Sequence, residues 1–331
     1  MDIRNYLSDE GQAVLALCSA FALEENGVVS PFTLSQWNDL EDELKKSSLR
    51  SASNLQGRSS EEIQSEVGLP SHEAERIVHL LERSGRLALE LENLFSKGMW
   101  AMSRVDENYP SKLAKALKHQ APSVLFGAGS LDLFGKTSVA VVGSRNIDQA
   151  GADFARLVGR KSVSSGMAVV SGGARGTDRI AMDGALEANG VALGVLADSL
   201  EATIRKPDVR EYILDGRLTL VTPYVPSAGF SVGGAMGRNK LIYGLADYGV
   251  VVGSDFKTGG TWAGAVEALK GEWCPVFVRD GEDVQKGNKE LIKLGGIGLG
   301  AEKLQASDDL ATLLAQTKKG TVKAVEQDLF G

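Results

Sequence analysis

The chain has 331 residues, 43% hydrophobic and 24% charged, the profile of a soluble globular protein with room for two domains and a core that needs no disulfide or metal. Its net charge of -7 argues against a broad basic footprint, so phosphate binding would have to be focused in a local pocket of Arg, Lys and backbone amides. Two distant cysteines, Cys18 and Cys274, and three histidines, His72, His79 and His119, form no zinc or redox motif; with no signal peptide and no apolar run of membrane-spanning length, the expected compartment is the cytoplasm, without metal or cofactor.

Residues 1–95 read as a small all-helical domain. Val14, Leu15, Leu17, Cys18 and Phe21 make an apolar stripe over Gln12–Ala22. Thr33 or Ser35 caps a helix carrying Trp37, Leu40 and Leu44. Ser59-Ser-Glu-Glu is a second start signal, and Ser71-His-Glu-Ala-Glu a third, leading into Ile77, Leu80, Leu81 and Leu87. A domain of this kind binds DNA backbone or partner proteins, or serves packing and dimerisation.

A connector follows. Lys97–Ser103 reads as a short strand, Asp106-Glu-Asn-Tyr-Pro110 as a turn, Ser111–His119 as a basic helix and Ala121–Gly127 as another strand. From Ser138 the pattern changes to buried strands alternating with helices. The strands are Ser138–Val142, Met167–Ser171, Val191–Leu196, Arg217–Val221, Gly249–Gly253 and Pro275–Val278. The helices include Asn146–Ser162, Asp178–Asn189, Arg238–Ala246 and Thr261–Lys270. Strand–helix alternation implies an α/β domain with a doubly wound, mostly parallel sheet over residues 96–305. Residues 306–331 read as a polar tail.

Three glycine-rich turns follow three of these strands: Gly143-Ser-Arg145, Ser171-Gly-Gly-Ala-Arg-Gly-Thr-Asp178 and Lys257-Thr-Gly-Gly-Thr261. Ligands of open parallel sheets bind beyond the carboxyl ends of the strands, where these turns lie. Glycine lets a backbone approach an oxyanion and point its N–H groups outward. Arg145, Arg175 and Lys257 add one cation to each turn, and Arg145 is expected at a helix N-terminus, a position that favours anions. Gly237-Arg-Asn-Lys240 is expected to open a further helix, with Asn239 facing a phosphate or base edge. Asp178 is expected to cap its helix, Trp262 and Leu269 to face the core, and Glu267 is the best isolated candidate for an acid. The chain lacks a Gly-x-Gly-x-x-Gly with a downstream acid, a Walker loop, and any Ser/His/Asp or Cys/His set near the turns. No catalytic residue is expected: the pocket reads as one that holds phosphates.

The order Asp106–Pro110, Pro122-Ser-Val-Leu-Phe126, Val139-Ala-Val-Val-Gly-Ser-Arg145, Ser171–Asp178, Gly237-Arg-Asn-Lys-Leu-Ile242 and Gly259-Gly-Thr261 resembles the DprA/Smf family, DNA processing protein A. The resemblance covers roughly residues 97–300 and implies an extended Rossmann-like domain that binds single-stranded DNA. It also implies a homodimer that helps load the RecA recombinase during DNA uptake, preceded by a small helical, SAM-like domain. Residue by residue, it implies strand contacts from Gly143, Ser144, Arg145, Gly172, Gly173, Ala174, Arg175, Arg238, Asn239, Lys257, Thr258, Gly259 and Gly260.

The chain departs from the family pattern at Ala197-Asp-Ser-Leu-Glu201 and Lys206-Pro207, and at Ala235-Met-Gly237, where an aromatic is usual and Phe230 is the nearest ring. No C-terminal winged-helix domain is expected in the length that remains after the core. These departures suit a divergent branch used in repair or in defence against foreign DNA. The tail Glu326-Gln-Asp-Leu-Phe330 resembles the peptide by which bacterial proteins dock on the replication sliding clamp. A second reading of the core is a nucleotide sensor or an enzyme similar to the LOG family, which resembles this chain at Gly259-Gly-Thr261 and Glu267.

Overall fold

The computed structural model describes residues 7–23 and 29–318, and the tail Glu326–Phe330 lies outside the described residues. The chain forms two compact units: 1–109 with 119–128 and 222–228, and 110–118 with 129–221 and 229–331. The first therefore takes in the strands that follow residue 96 as well as the N-terminal helices.

In the first unit the helices are α1 (Asp9–Cys18), α2 (Leu34–Lys46), α3 (Ser60–Val67), α4 (Ser71–Glu82) and α5 (Ser84–Ser96). Two of the three start signals act as caps, while at the third Pro70 holds the cap position and Ser71 is the first residue of α4. Thr33 caps α2 with Gln36, and Ser59 caps α3 with Glu62, both as reciprocal capping boxes. Two helices differ from the sequence reading. α1 begins at Asp9 and ends at Cys18, because the Ser8 side chain accepts the Gly11 N–H and supplies an earlier cap. The segment after Ser71 is two helices, broken at Arg83, whose guanidinium donates to the carbonyls of Ala16, Ser19 and Phe21. Strands β1 (Met99–Ser103) and β2 (Val124–Ala128) pair antiparallel. The Asp106 turn closes β1: its carboxylate accepts from the Ser103 N–H at 2.7 Å and from Ser8 N–H and Oγ at 2.9 and 2.6 Å.

The second unit opens with α6 (Ser111–Leu117). It then alternates β3 (Ser138–Val142), α7 (Gln149–Ser164), β4 (Ala168–Ser171), α8 (Thr177–Glu187) and β5 (Ala192–Val195). Next come α9 (Leu200–Thr203), α10 (Pro207–Leu214), β6 (Leu218–Thr222), α11 (Val232–Gly244) and β7 (Tyr248–Val251). α12 (Gly259–Gly271), β8 (Val276–Asp280), α13 (Lys286–Lys293), β9 (Ile297–Gly300) and α14 (Ala301–Ala306) complete it. These strands lie in the order β6-β5-β4-β3-β7-β8-β9, and every pairing between them is parallel. The order reverses at β3, the switch point at which doubly wound sheets place their ligands. β3 and β4 are wholly buried, as parallel strands covered by helices on both faces must be.

The α/β expectation holds, with three local corrections. β9 is a further strand beyond Pro275–Val278; its Ile-Gly-Leu-Gly sequence lacks the β-branched run that marks the central strands. α11 begins at Val232, capped by Ser231, so Gly237–Lys240 lies inside the helix and does not open it. Residues 310–318 are helical, and Leu310 and Leu314 are fully buried, so the core extends beyond residue 305. Helices α7 and α8 pack at close range because Gly159 and Gly184 carry no side chain: a Cβ at 159 would lie 2.3 Å from the Ala181 carbonyl oxygen.

Candidate nucleic-acid interface

β3, β4 and β7 run parallel, so the turns that leave them emerge at one rim. Two cavities open there. The larger, about 580 Å³, is lined by Gly143, Ser144, Arg145, Ala174, Arg238, Asn239, Lys257, Thr258, Gly259 and Gly260. The second, about 390 Å³, is lined by Arg145, Gly172, Gly173, Ala174, Arg175 and Arg238. Every residue expected from the sequence therefore borders one of two cavities, and Arg145, Ala174, Phe230 and Arg238 border both. Arg145, Arg175 and Lys257 are exposed and approach from three separate turns.

The turns are held by each other and by α8, and this changes several expected roles. Ser144 N–H donates to the Gly253 carbonyl at 2.9 Å, joining the first turn to the end of β7. Thr177 Oγ donates to the Ser144 carbonyl at 3.0 Å, and its N–H to the same oxygen at 3.3 Å. A Cβ at Gly143 would lie 2.5 Å from Thr177 Oγ, so only glycine fits that approach.

Asp178 does not cap α8; Gly176 stands at the cap position, and Asp178 is 8% exposed beneath the turns. The amides of Gly172, Ala174 and Gly143 donate toward its carboxylate and the Arg238 charge lies nearby, yet burial dominates and lifts its pKa to about 6. Part of the amide cradle thus faces a protein carboxylate inward, and phosphate capacity at the rim falls to the exposed cations. The α7 N-terminus is likewise occupied. Asp148 accepts the Gly151 N–H at 2.7 Å and lies 3.5 Å from Arg279, so Arg145 precedes the cap and the helix end already holds its anion.

Arg238 is 5% exposed, below the rim, and a Cβ at Gly172 would lie 1.8 Å from its Nη1. Asn239 donates to the Gly260 carbonyl at 3.1 Å and so braces the third turn, with one amide donor committed. Lys257 adopts φ +56°, in the left-handed region, with its Nζ 5.1 Å from the Phe256 ring centroid. Trp262 does not face the core: it is half-buried, lines the larger cavity and packs edge-on against Phe256 at 5.1 Å. Glu267 is exposed, away from both cavity linings.

Sequence reasoning missed Gly176 and Thr177 as clamps of the Arg145 turn, though both stand in the quoted motif. It named Phe230 only as the nearest ring to Ala235-Met-Gly237 and gave it no role at the site. Phe230 is there, 55% exposed, with the Arg145 guanidinium 5.6 Å from its ring centroid. Phe230 precedes Ser231, the cap of α11, and lies eight residues before Arg238 in sequence, so its place beside Arg145 is not apparent from the chain. Among the described residues no group of His, Cys, Asp and Glu is arranged to hold a metal ion, and no helix is long and apolar enough to cross a membrane.

The profile of the family described as DNA recombination-mediator protein A matches residues 100–313. The chain is 31% identical over 161 residues to DNA processing protein DprA of Streptococcus pneumoniae, covering 48% of this chain and 56% of that protein. It is 30% identical over 158 residues to protein Smf of Escherichia coli, covering 46% and 41%. The matched region thus spans about half the length of these curated relatives. Among solved structures, DprA from S. pneumoniae superposes with a TM-score of 0.57 at 25% identity, over 81% of this chain and 95% of that one. DNA processing protein A from Helicobacter pylori, described for its single-stranded DNA binding mode, superposes with a TM-score of 0.53 at 23% identity, over 66% and 96%.

Proposed function

From the premise that this chain belongs to the DNA recombination-mediator protein A family, we propose that it binds single-stranded DNA along the rim of the sheet. One observation carries the reading: Arg145, Arg175 and Lys257, exposed on three separate turns, border two cavities that share Arg145. A flexible strand can place successive phosphates on such cations. The guanidinium forks of Arg145 and Arg175 grip phosphate oxygens in pairs, and Lys257 supplies a point charge. Phe230, beside Arg145, offers an aromatic face to a base.

On this reading the protein is a binding module and a mediator: a cytoplasmic homodimer that protects the strand and passes it to RecA. Co-purification with RecA tests the partner, and the mass of the free protein in solution tests the dimer.

The binding itself is tested by fluorescence anisotropy with labelled oligo-dT at low and high salt. Wild type is expected to bind, more weakly as salt rises. Arg145→Ala is expected to lose about 1.5–3 kcal/mol, the worth of a charged hydrogen bond, or roughly ten- to a hundredfold in affinity. Retention of a mononucleotide with indifference to oligo-dT would favour the nucleotide-sensor reading.

A further inference from the structure

We propose that the bound strand runs on past the larger cavity over an open ledge, formed by Phe256, Trp262, Lys257 and Lys286, that stacks bases by their faces and holds the phosphates beyond the rim. This rests on the strand-binding reading above. The ledge reads no base edge; its ligand is single-stranded nucleic acid longer than the three rim turns hold by themselves.

The four side chains come from three segments of the second unit: the third turn, α12 and α13. Trp262 is half-buried and lines the larger cavity. Its ring meets Phe256 edge-on, with centroids 5.1 Å apart and planes at 84°. Phe256 and Lys286 lie outside both cavity linings, so the aromatic surface continues beyond the cavity mouth. Lys257 Nζ is 5.1 Å from the Phe256 ring centroid and Lys286 Nζ 4.8 Å from it. One lysine reaches the ring from the turn and the other from the first residue of α13.

Both lysines are exposed, and neither has an ion-pair partner among the described residues. Glu290, on the same helix as Lys286, is taken by Lys293 at 2.8 Å. Flanking one ring, the two ammoniums stand within about 10 Å of each other, about one Debye length at 0.1 M salt, where they repel. An exposed contact between a cation and a ring returns little against that repulsion. A phosphate bound between them removes it. The ring does not neutralise the charges, so each ammonium keeps its three donors for phosphate oxygens. Lys257 is moreover held at φ +56°, a left-handed conformation strained for lysine, of the kind that clusters where ligands are clamped.

Rings interleaved with cations suit a single strand. Its unpaired bases can turn onto an aromatic face while its phosphates find charge, and stacking of this kind tolerates any base.

The test is a length series of oligo-dT, from about four to about twenty nucleotides, read by fluorescence anisotropy. Wild type and Lys286→Ala are expected to bind the shortest oligomers alike. Once the strand is long enough to reach α13, the variant is expected to fall behind by about five- to tenfold at about 50 mM salt, with a salt slope lower by about 0.7. Lys286→Arg is expected to restore both. Phe256→Leu is expected to lose at least about fivefold on the long oligomers with its salt slope unchanged, and its melting temperature checks that the turn is intact. Coincidence of wild type and Lys286→Ala at every length overturns the ledge and leaves rim binding standing. So does the same offset at every length, which marks a general field effect and not a contact. Failure of wild type to bind any oligomer at low salt overturns the strand reading and the ledge with it.

Discussion

Gly176→Ala probes the junction on which the candidate site depends. Gly176 has φ 86° and ψ -133°, a conformation open in practice only to glycine. Forcing alanine into it costs about 1–3 kcal/mol. The new Cβ would also lie 2.5 Å from the Arg145 carbonyl oxygen and 2.8 Å from Arg145 C and Cα. These are backbone atoms with no rotamer to swing aside, and overpacking of this kind adds about 1–3 kcal/mol. If the fold resists, stability falls by about 2–6 kcal/mol, a loss of roughly 5–20 °C in melting temperature for a unit of this size. If the turn yields, Arg145 shifts and oligo-dT affinity drops by about tenfold or more, the worth of one misplaced charged contact. Thermal melts followed by circular dichroism read the first effect, and anisotropy with oligo-dT reads the second. A variant with both melting temperature and affinity unchanged would refute the claim that this glycine supports the Arg145 turn.

Further predictions concern charge, pH and packing. Lys257→Ala is expected to lower the slope of log affinity against log salt by about 0.7, the counterion release of one phosphate contact on a single strand; an unchanged slope places Lys257 off the strand path. Asp178 ties stability to pH in a defined direction. Burial raises its folded pKa from 3.8 to about 6, so the folded state holds this proton more tightly than the unfolded chain does. Its contribution is present in full below pH 4 and is lost as pH rises to about 6, a swing of roughly 3 kcal/mol. Denaturant melts across that range should show this slope in wild type and its loss in Asp178→Asn, whatever the variant's absolute stability. Gly159→Ala should destabilise by about 1–3 kcal/mol without touching the rim, because its Cβ would meet the Ala181 carbonyl and part α7 from α8; a neutral result means the helices slide apart at no cost.

The strongest local signals were legible in the chain itself. β3 is announced by Ser-Val-Ala-Val-Val before Gly143, and α2 and α3 by capping boxes whose partners stand three residues apart. Weaker signals misled where a neighbour in space overrode them. Arg83 ended α4 by reaching carbonyls more than sixty residues away in sequence, whereas the earlier start of α1 was a local signal passed over, the Ser8 cap three residues before Gly11. β9 was hidden because its two glycines carry no strand preference, and its pairing with β8 supplies the stability that local propensity lacks.

The same division runs through the candidate site. Alternating strand and helix patterns with glycine at the strand ends are periodic, local features, so the sequence by itself settled a parallel α/β core and put the three cation-bearing turns on one rim. Whether an amide, a carboxylate or a ring faces ligand or protein depends on what stands opposite it across the turn. That is a matter of distances between segments far apart in the chain. Only the tertiary structure could show that Asp178 draws the turn amides inward, that Phe230 stands beside Arg145, and that the Tyr243 hydroxyl is buried with no hydrogen-bond partner among the described residues.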